Sequence, residues 1–225
     1  MESNNISDSV IYKNNQFLAF NKAPGIPVQP DKTGETSMLQ LAEIYCKHPV
    51  HLIHRLDLPA SGVVLFSKNK KALAKLNVQF QENSITKIYW AVVKEAPEKP
   101  EGELIHFLKK NGKKNKSEVV PMGTKGAKEA VLKYKSIGQS EHYTFLEIIL
   151  VTGRHHQIRA QLAEIGCPIK GDVKYGFKRG NQDRSIHLHA RRLEFDHPVT
   201  QERVVLEADP PADDPLWAVF MEEKA

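Results

Sequence analysis

Short apolar runs separated by Gly, Pro and Asn constrain the fold of this chain more than any other feature of its sequence. Residues 10–13 and 17–21 flank the turn signal Asn14-Asn15, which predicts a β-hairpin. The run at residues 62–67 is typical of a buried strand, and residues 85–93 are rich in β-branched and aromatic side chains. Because these runs do not alternate regularly with helical segments, we expect an α+β fold with a mixed, largely antiparallel sheet.

Helical spacing of apolar residues recurs in shorter segments between these runs. Thr36 or Ser37 is suited to cap a first helix and Asn69 a second, because their side-chain oxygens can accept backbone N–H bonds. A third helix is expected to begin at His155 or just before it and to end at Gly166. Further strands are predicted at residues 131–134, 144–151, 186–195 and 203–206.

The chain is moderately basic, with 32 Lys and Arg residues against 27 Asp and Glu residues and a formal net charge of +5. This excess permits binding to nucleic acid without requiring it. Lysines cluster in the segment 109–128, where we expect an exposed loop or a hairpin tip. Such a segment is either a solvated surface or an arm that contacts phosphates, and charge alone leaves both interpretations open.

Composition excludes several classes of protein. No apolar run approaches the ~20 residues that span a bilayer, and the polar N-terminus lacks the pattern of a signal peptide. Cys46 and Cys167 have no metal-type spacing, which excludes a disulfide scaffold and a Cys-rich zinc site. We therefore expect a cytoplasmic protein with two buried, reduced thiols and no membrane partner.

Residues 54–62 place polar and charged side chains between two apolar runs, at residues 50–53 and 63–66. Arg55 and Asp57 are two positions apart, so in an extended segment they point the same way, at the rim of a core. An acid at such a position is costly unless it is paired or used. The residues alone leave two interpretations open, a structural Arg–Asp pair and a functional carboxylate.

Two other interpretations of this segment lack support elsewhere in the sequence. The order His-Arg-Leu-Asp is similar to the catalytic loop of protein kinases, but the chain has neither a Gly-rich loop nor an Asp-Phe-Gly sequence. The histidines, His51 and His54 among them, have no recognised metal-ligand spacing. A metal site is therefore disfavoured, and with it a metal-dependent phosphohydrolase.

Residues 54–62, His-Arg-Leu-Asp-Leu-Pro-Ala-Ser-Gly, resemble the HRLDxxTSG motif of the RluA-type pseudouridine synthases. Further blocks of the chain resemble other motifs of this family, and they occur in the family's order. They lie at residues 21–28 (NKPxGxxV), 87–89 (KxY), 152–159 (TGRxHQIR), 166–176 (GxPIxGDxxYG) and 188–198 (LHA…HP). The sequence is therefore identified as similar to that family over about residues 17 to 200.

The resemblance implies an enzyme that isomerises specific uridines in ribosomal or transfer RNA to pseudouridine, with no cofactor and no metal. It implies a mixed sheet in two subdomains with a cleft between them. We expect residues 1–9 to be a flexible tail and residues 10–225 to be one catalytic domain, with a basic insertion at 109–128. We expect no appended N-terminal RNA-binding domain, because the family blocks begin near residue 17, and we expect a monomer.

The resemblance also assigns roles to residues. Asp57 aligns with the catalytic aspartate, Tyr89 with the tyrosine that packs on the target base and helps proton removal, and Arg159 with the arginine that pairs with the aspartate. We therefore expect Asp57 and Arg159 to lie within hydrogen-bond reach. Arg55 aligns with a residue that engages the RNA and the extruded base, and Ile158 with an apolar residue that lines the pocket. Other residues expected to bind substrate are His54, Arg154 and His155.

The sequence departs from the family pattern near the expected site. Ala60 stands where the family usually has Thr, and Ala23 replaces a common proline. The alternative hypothesis is a catalytically silent RNA-binding module on the same fold. It is disfavoured because such a module has little reason to keep Asp57 together with Tyr89 and Arg159.

Overall fold

Antiparallel pairing connects the apolar runs of the sequence in the computed structural model, which describes residues 6–32 and 34–224. Within these ranges the chain forms eleven strands and four α-helices, and the predicted α+β class is confirmed. Of the tail predicted at residues 1–9, residues 1–5 lie outside the described residues, whereas Ile6–Ser9 form a short 3-10 helix. The chain divides into two compact units.

Most of the elements are short, and β6 and β8 are the longest strands. The strands are β1 (Val10–Lys13), β2 (Phe17–Lys22), β3 (His51–Leu52), β4 (Ser61–Ser67), β5 (Thr86–Val93), β6 (Glu101–Asn111), β7 (Lys116–Val120), β8 (Lys128–Gln139), β9 (Thr144–Leu150), β10 (Leu188–Asp196) and β11 (Arg203–Glu207). The helices are α1 (Met38–Cys46), α2 (Lys70–Gln81), α3 (Gln157–Glu164) and α4 (Pro215–Lys224). A second 3-10 helix spans Val173–Tyr175.

Unit 1 comprises the described residues up to Thr86 together with Ala190–Ala218. Its strand order is β1-β2-β4-β10, with β3 paired to β4 and β11 paired to β10. All seven residues of β4 are buried, which fits its continuous apolar run, because a strand covered on both faces needs no polar alternation. Leu76 of α2 belongs to the same core cluster as Phe17 and Leu65.

Gly62, the second residue of β4, has a φ angle of +110°. A Cβ atom at this position would lie 2.3 Å from the backbone oxygen of Ala190, so no side chain fits there. Glycine tolerates both the positive φ and the close approach. The glycine of the 54–62 segment is therefore required for β4 to pack beside the chain at Ala190.

Unit 2 comprises Lys87–His189 and the described residues from Val219 onward. Its strands follow the order β5-β9-β8-β6-β7, and each of these pairs is antiparallel. The lysine-rich segment 109–128 contains the turn of the β6–β7 hairpin and all of β7, so most of its lysines lie on a hairpin, while Lys125 lies in the connection to β8 and Lys128 begins β8. A core cluster of this unit contains Leu108, Ala130, Ala160 and Tyr175.

The helix caps follow the sequence pattern at two of the three predicted helices. Ser37 caps α1 and accepts a hydrogen bond from the backbone N–H of Gln40, and Asn69 caps α2 in the same way through Ala72. The third helix begins later than expected, at Gln157 instead of His155. The cause is His156, whose φ of +52° is left-handed and ends the preceding turn.

Strand β6 and helix α4 were not predicted from the sequence. Residues 101–111 contain only the short apolar pairs Leu104-Ile105 and Phe107-Leu108 among polar and charged residues, and most of them are exposed or half-buried. Only their pairing with β8 and β7 makes them a strand. Helix α4 is anchored in unit 2 by Phe220, whose ring stacks on Phe145 with centroids 4.4 Å apart.

Lys22 ends β2 and is completely buried. Its Nζ atom donates to the carbonyl oxygens of Ala23 at 2.9 Å, Ile26 at 3.0 Å and Leu58 at 3.2 Å. Burial lowers the pKa of Lys22 to about 7, and the nearby charge of Asp57 acts in the opposite direction. One buried amine therefore connects the turn after β2 to the loop that contains Asp57.

We predict that burial of Lys22 makes folding stability depend on pH. The folded pKa of about 7 lies below the ordinary value of 10.5, so between these values the unfolded chain binds the extra proton. The free energy of unfolding of the wild type should then rise with pH relative to that of Lys22→Met, by up to about 1.4 kcal/mol per pH unit. Urea titrations of both proteins at pH 7, 8 and 9 measure this difference.

The control for this prediction is Lys70→Met, which removes an exposed lysine from α2 of the same unit. A difference between wild type and Lys22→Met that stays constant from pH 7 to pH 9 would contradict the prediction.

Candidate active site

Residues 53–60 form the loop between β3 and β4, and hydrogen bonds fix its backbone on the C-terminal side of Asp57. The carbonyl of Asp57 accepts the backbone N–H of Ala60 at 3.1 Å, which closes a tight turn. The carbonyl of Leu58 accepts both the N–H of Gly25 at 2.9 Å and the Nζ of Lys22. The position of the half-buried Asp57 is therefore set by the chain around it.

The neighbours of Asp57 in this loop differ in exposure. Leu56 is buried and anchors the loop to the core, whereas Arg55 is exposed. His54 is half-buried, and its Nε2 accepts the backbone N–H of Leu65 at 3.1 Å. Its ring also stacks on Phe80 of α2, with centroids 5.3 Å apart. These contacts explain the place of His54 in the fold, and its binding to substrate stays a prediction.

Tyr89 lies in β5 opposite Ile148 of β9 and is half-buried. Side chains alternate along a strand, so Tyr89 shares one face of β5 with Lys87. Trp90 is on the other face, where its ring meets Phe220 with centroids 5.0 Å apart. Lys87 is only 7% exposed, and burial lowers its pKa. The face that carries Tyr89 therefore also carries a buried lysine.

The turn before α3 is held by the side chain of Gln157. Its Oε1 accepts the hydroxyl of Thr152 at 2.8 Å and the backbone N–H of Arg154 at 2.9 Å. Its Nε2 donates to the carbonyl of Val131 in β8 at 3.1 Å, and the N–H of Val131 donates to Thr152 Oγ1 at 2.9 Å. Thr152 and Gln157 of the TGRxHQIR block thus fasten the start of α3 to the sheet.

Arg159 lies on α3, is buried, and forms a two-point ion pair with Asp172. Its Nε donates to Asp172 Oδ2 at 2.6 Å, and its Nη2 donates to Asp172 Oδ1 at 2.8 Å. Two parallel hydrogen bonds fix the plane of the guanidinium group, not only its position. Removing either partner would leave a buried charge uncompensated, which is strongly destabilising.

The remaining predicted residues of unit 2 lie around the start of the same helix. Arg154 is exposed, and its Nε donates to the carbonyl of Glu129 at 2.8 Å. His155 is half-buried, with its Nδ1 3.0 Å from the hydroxyl of Ser117. Ile158 is 4% exposed. Substrate contacts of these three residues stay predictions.

The predicted site residues thus fall into two groups. Unit 1 carries His54, Arg55 and Asp57 on one loop. Unit 2 carries Tyr89, Arg154, His155, Ile158 and Arg159. The carboxylate that pairs with Arg159 within unit 2 is Asp172, and the expected pairing of Arg159 with Asp57 stays a prediction.

Within the described residues, no three His, Cys, Asp or Glu side chains are arranged to hold a metal ion. Both cysteines are free, and burial raises the pKa of each thiol. Cys167 is buried as expected, but Cys46 is only half-buried because it lies at the end of α1. No helix in residues 6–32 or 34–224 is both long and apolar enough to cross a membrane.

Four residues that hold the Asp57 loop, the start of α3 and Arg159 in place were not predicted from the sequence: Lys22, Gln157, Asp172 and Tyr175. Each stands inside a block that resembles a family motif, and that membership was the signal that could have found them. Their partners are distant in sequence or carry no charge, so no local pattern identifies them. Lys22, for example, bonds to the carbonyl of Leu58, thirty-six positions away.

Comparison with known proteins agrees with the sequence motifs. The profile of a family described as RNA pseudouridylate synthase matches residues 16–164 of this chain. An uncharacterised RNA pseudouridine synthase of Mycoplasma pneumoniae is 32% identical over 202 residues, which cover 88% of this chain and 65% of that protein. The ribosomal large subunit pseudouridine synthase C of Rickettsia felis is 31% identical over 209 residues, which cover 91% of this chain and 69% of that protein.

Two solved structures share the fold. Human RNA pseudouridylate synthase domain containing 4 has a TM-score of 0.77 at 22% identity and covers 96% of this chain and 93% of that chain. Human RNA pseudouridylate synthase domain containing 1 has a TM-score of 0.78 at 23% identity, and the match covers 96% of this chain and 89% of that chain. This chain spans only about two thirds of the length of the curated relatives above. The family profile and these relatives confirm the resemblance, and the chain belongs to the RNA pseudouridylate synthase family.

Proposed function

We propose that this chain isomerises specific uridines of RNA to pseudouridine, with Asp57 as the catalytic carboxylate. The observation that carries the proposal is family membership of a chain that keeps Asp57, Tyr89 and Arg159 in their motifs. We favour the RNA of the large ribosomal subunit as substrate, because relatives that are 31% identical are named ribosomal large subunit pseudouridine synthase C. Transfer RNA is the second substrate class to test.

A carboxylate suits this reaction because breaking the bond between base and sugar leaves an electron-poor sugar carbon, which an anion can bond to or stabilise. The bond from N1 of the base to the sugar breaks, a bond from C5 to the same sugar carbon forms, C5 loses its proton and N1 gains one. An ionised Asp57 can act as nucleophile, stabilise charge on the sugar, or remove the first proton. The hydrogen bonds at Leu58 and Ala60 support this role because they hold the Asp57 backbone in one place.

Tyr89 is proposed to receive the target base. A base inside a duplex cannot be turned over, so the uridine must flip out at a cost of a few kcal/mol. An aromatic ring offers a stacking face for the extruded base, and a phenol hydroxyl can accept or relay a proton. The half-buried position of Tyr89 on β5 suits both tasks.

Arg159 is proposed to act on Asp57 by its charge. A guanidinium group is protonated at every working pH, and its fork fits a carboxylate. Because Asp172 fixes the plane of this group, the direction of the remaining N–H bonds is also fixed. Such preorganisation is favourable for catalysis, since no reorientation is needed during the reaction.

The β6–β7 hairpin is proposed to contact RNA phosphates. It carries exposed lysines at four positions: Lys109, Lys110, Lys113 and Lys114. Phosphate contacts set the position of the protein on RNA but do not read its sequence. The hairpin therefore adds affinity, and base-specific contacts must come from elsewhere in the chain.

A catalytically silent RNA-binding module remains the second candidate, and no observation favours it. The motif residues Asp57, Tyr89 and Arg159 are all kept. A monomer that acts in the cytoplasm is part of the proposal.

We predict that Asp57→Asn abolishes activity. The substitution keeps the shape of the side chain and removes its charge, so turnover should fall by about 10³-fold or more while RNA binding stays. Tritium release from RNA labelled at uridine C5 measures turnover, with large-subunit rRNA and transfer RNA as separate substrates. Asp213→Asn, at an exposed position, is the control. Turnover that survives Asp57→Asn, or that requires added metal, would reject the proposal.

We predict that Tyr89→Phe separates binding from turnover. The phenylalanine ring keeps the stacking face but lacks the hydroxyl, so Kd should stay within about twofold while turnover falls by about 10²-fold. Filter binding and tritium release on the same RNA give the two values. Unchanged turnover would remove the hydroxyl from the chemistry and leave Tyr89 only a stacking role.

We predict that the hairpin lysines account for part of the salt dependence of RNA binding. Lys113→Gln combined with Lys114→Gln should make the slope of log affinity against log salt concentration shallower by about 1–2. With fewer phosphate contacts, binding releases fewer counterions from the RNA. Lys70→Gln with Lys71→Gln, on exposed positions of α2, is the control pair. Equal slopes for the two double variants would show that the hairpin lysines are only a solvated surface.

A further inference from the structure

Tyr175 ends the 3-10 helix Val173–Tyr175 and is 6% exposed. Its hydroxyl lies between two elements. It accepts the backbone N–H of Ser117 at 2.8 Å and is 3.2 Å from the carbonyl of Ser117, to which it can donate. It also lies 3.0 Å from Nδ1 of His156, which can donate the third bond if that nitrogen carries the proton. The hydroxyl of Tyr175 therefore connects strand β7 to the residue before α3.

The ring of Tyr175 meets two cations from the same two elements. The ammonium group of Lys116 in β7 lies 4.7 Å from the ring centroid, and the guanidinium carbon of Arg159 in α3 lies 5.0 Å from it. Both distances are within the range of cation–π attraction. The backbone N–H of Tyr175 donates to the carbonyl of Asp172 at 3.1 Å, so Tyr175 is bonded to the residue that pairs with Arg159.

A second contact joins the hairpin to the start of α3. The hydroxyl of Ser117 is 3.0 Å from Nδ1 of His155, and the rings of His155 and His156 stack with centroids 3.8 Å apart. Ser117 is 2% exposed, so its N–H, carbonyl and hydroxyl all find their partners inside unit 2. At the hairpin turn, Lys174 donates from Nζ to the carbonyl of Asn115 at 3.3 Å.

We propose that Tyr175 is a positioning residue that holds the basic hairpin β6–β7 and Arg159 in one fixed relation. Its hydroxyl fastens β7 through the backbone of Ser117, and its ring packs against the guanidinium group of Arg159. An RNA bound along the hairpin is then presented to Arg159 at a constant distance. This inference rests on the proposed function, because it assigns RNA to the hairpin and catalysis to Arg159.

Two substitutions separate the tasks of hydroxyl and ring. Tyr175→Phe keeps the ring and removes the hydroxyl, so it should raise Kd for RNA by about tenfold through a loosened hairpin. Tyr175→Leu removes both, and its single-turnover rate constant at saturating RNA should fall about tenfold below that of Tyr175→Phe. The probe is a large-subunit rRNA transcript labelled with tritium at uridine C5. Tyr134→Phe is the control, because Tyr134 is similarly buried at 8% exposure in the same unit and its hydroxyl lies against Gly102 instead.

Two spectroscopic measurements test the inference independently of any measurement of enzyme activity. Hydrogen exchange at the amide of Ser117 should accelerate in Tyr175→Phe and not in Tyr134→Phe. The Nε–H resonance of Arg159 should keep its position in Tyr175→Phe and shift in Tyr175→Leu. If the wild type releases no tritium while both spectroscopic results hold, the proposed function fails and the positioning role stands.

Other results would overturn the inference. An unchanged rate of amide hydrogen exchange at Ser117 in Tyr175→Phe would show that the Tyr175 hydroxyl does not hold the hairpin. Equal rate constants and equal Arg159 resonances in the two Tyr175 variants would show that the Tyr175 ring does not position Arg159. If Kd rises and the rate constant falls equally in both variants, in proportion to the loss of thermal stability, Tyr175 is merely a core residue.

Discussion

A buried basic side chain is costly unless it is paired or hydrogen-bonded, and this constraint organises both units of the fold. In unit 1 the amine of Lys22 is surrounded by three carbonyl oxygens, one of them in the loop of Asp57. In unit 2 the guanidinium of Arg159 is paired with Asp172 through two hydrogen bonds. Each of these two side chains bonds to a residue of another family motif, Lys22 to Leu58 and Arg159 to Asp172. The candidate catalytic groups are thus held by interactions whose loss would cost stability as well as activity.

Much of the fold could be predicted from the sequence because the signals were local. Asn14 marks the first hairpin and accepts the N–H of Phe17 at its turn. Ser37 and Asn69 cap their helices as their positions predict. The continuous apolar run of β4 indicated burial on both faces, and every residue of β4 is buried. In each case a few neighbouring residues contain the whole physical cause.

The parts that could not be predicted depend on pairs distant in sequence. Nothing near Arg159 indicates that its partner is Asp172, because an arginine on a helix face is usually exposed. Strand β6 depends on its pairing with β7 and β8, since its own residues offer neither a long apolar run nor a regular alternation. The late start of α3 depends on the left-handed backbone of His156, which the bond to Tyr175 helps to hold. The residues assigned by resemblance were found, but the residues that position them were not.

The surroundings of Lys22 have a chemical consequence for labelling. Only the neutral form of an amine is a nucleophile, and a pKa of about 7 gives Lys22 a large neutral fraction at physiological pH. Complete burial nevertheless shields the amine from reagents. Acylation of Lys22 therefore requires a local opening that breaks its hydrogen bonds to the carbonyls of Ile26 and Leu58. The rate of acylation at Lys22 therefore measures how often this buried region opens locally.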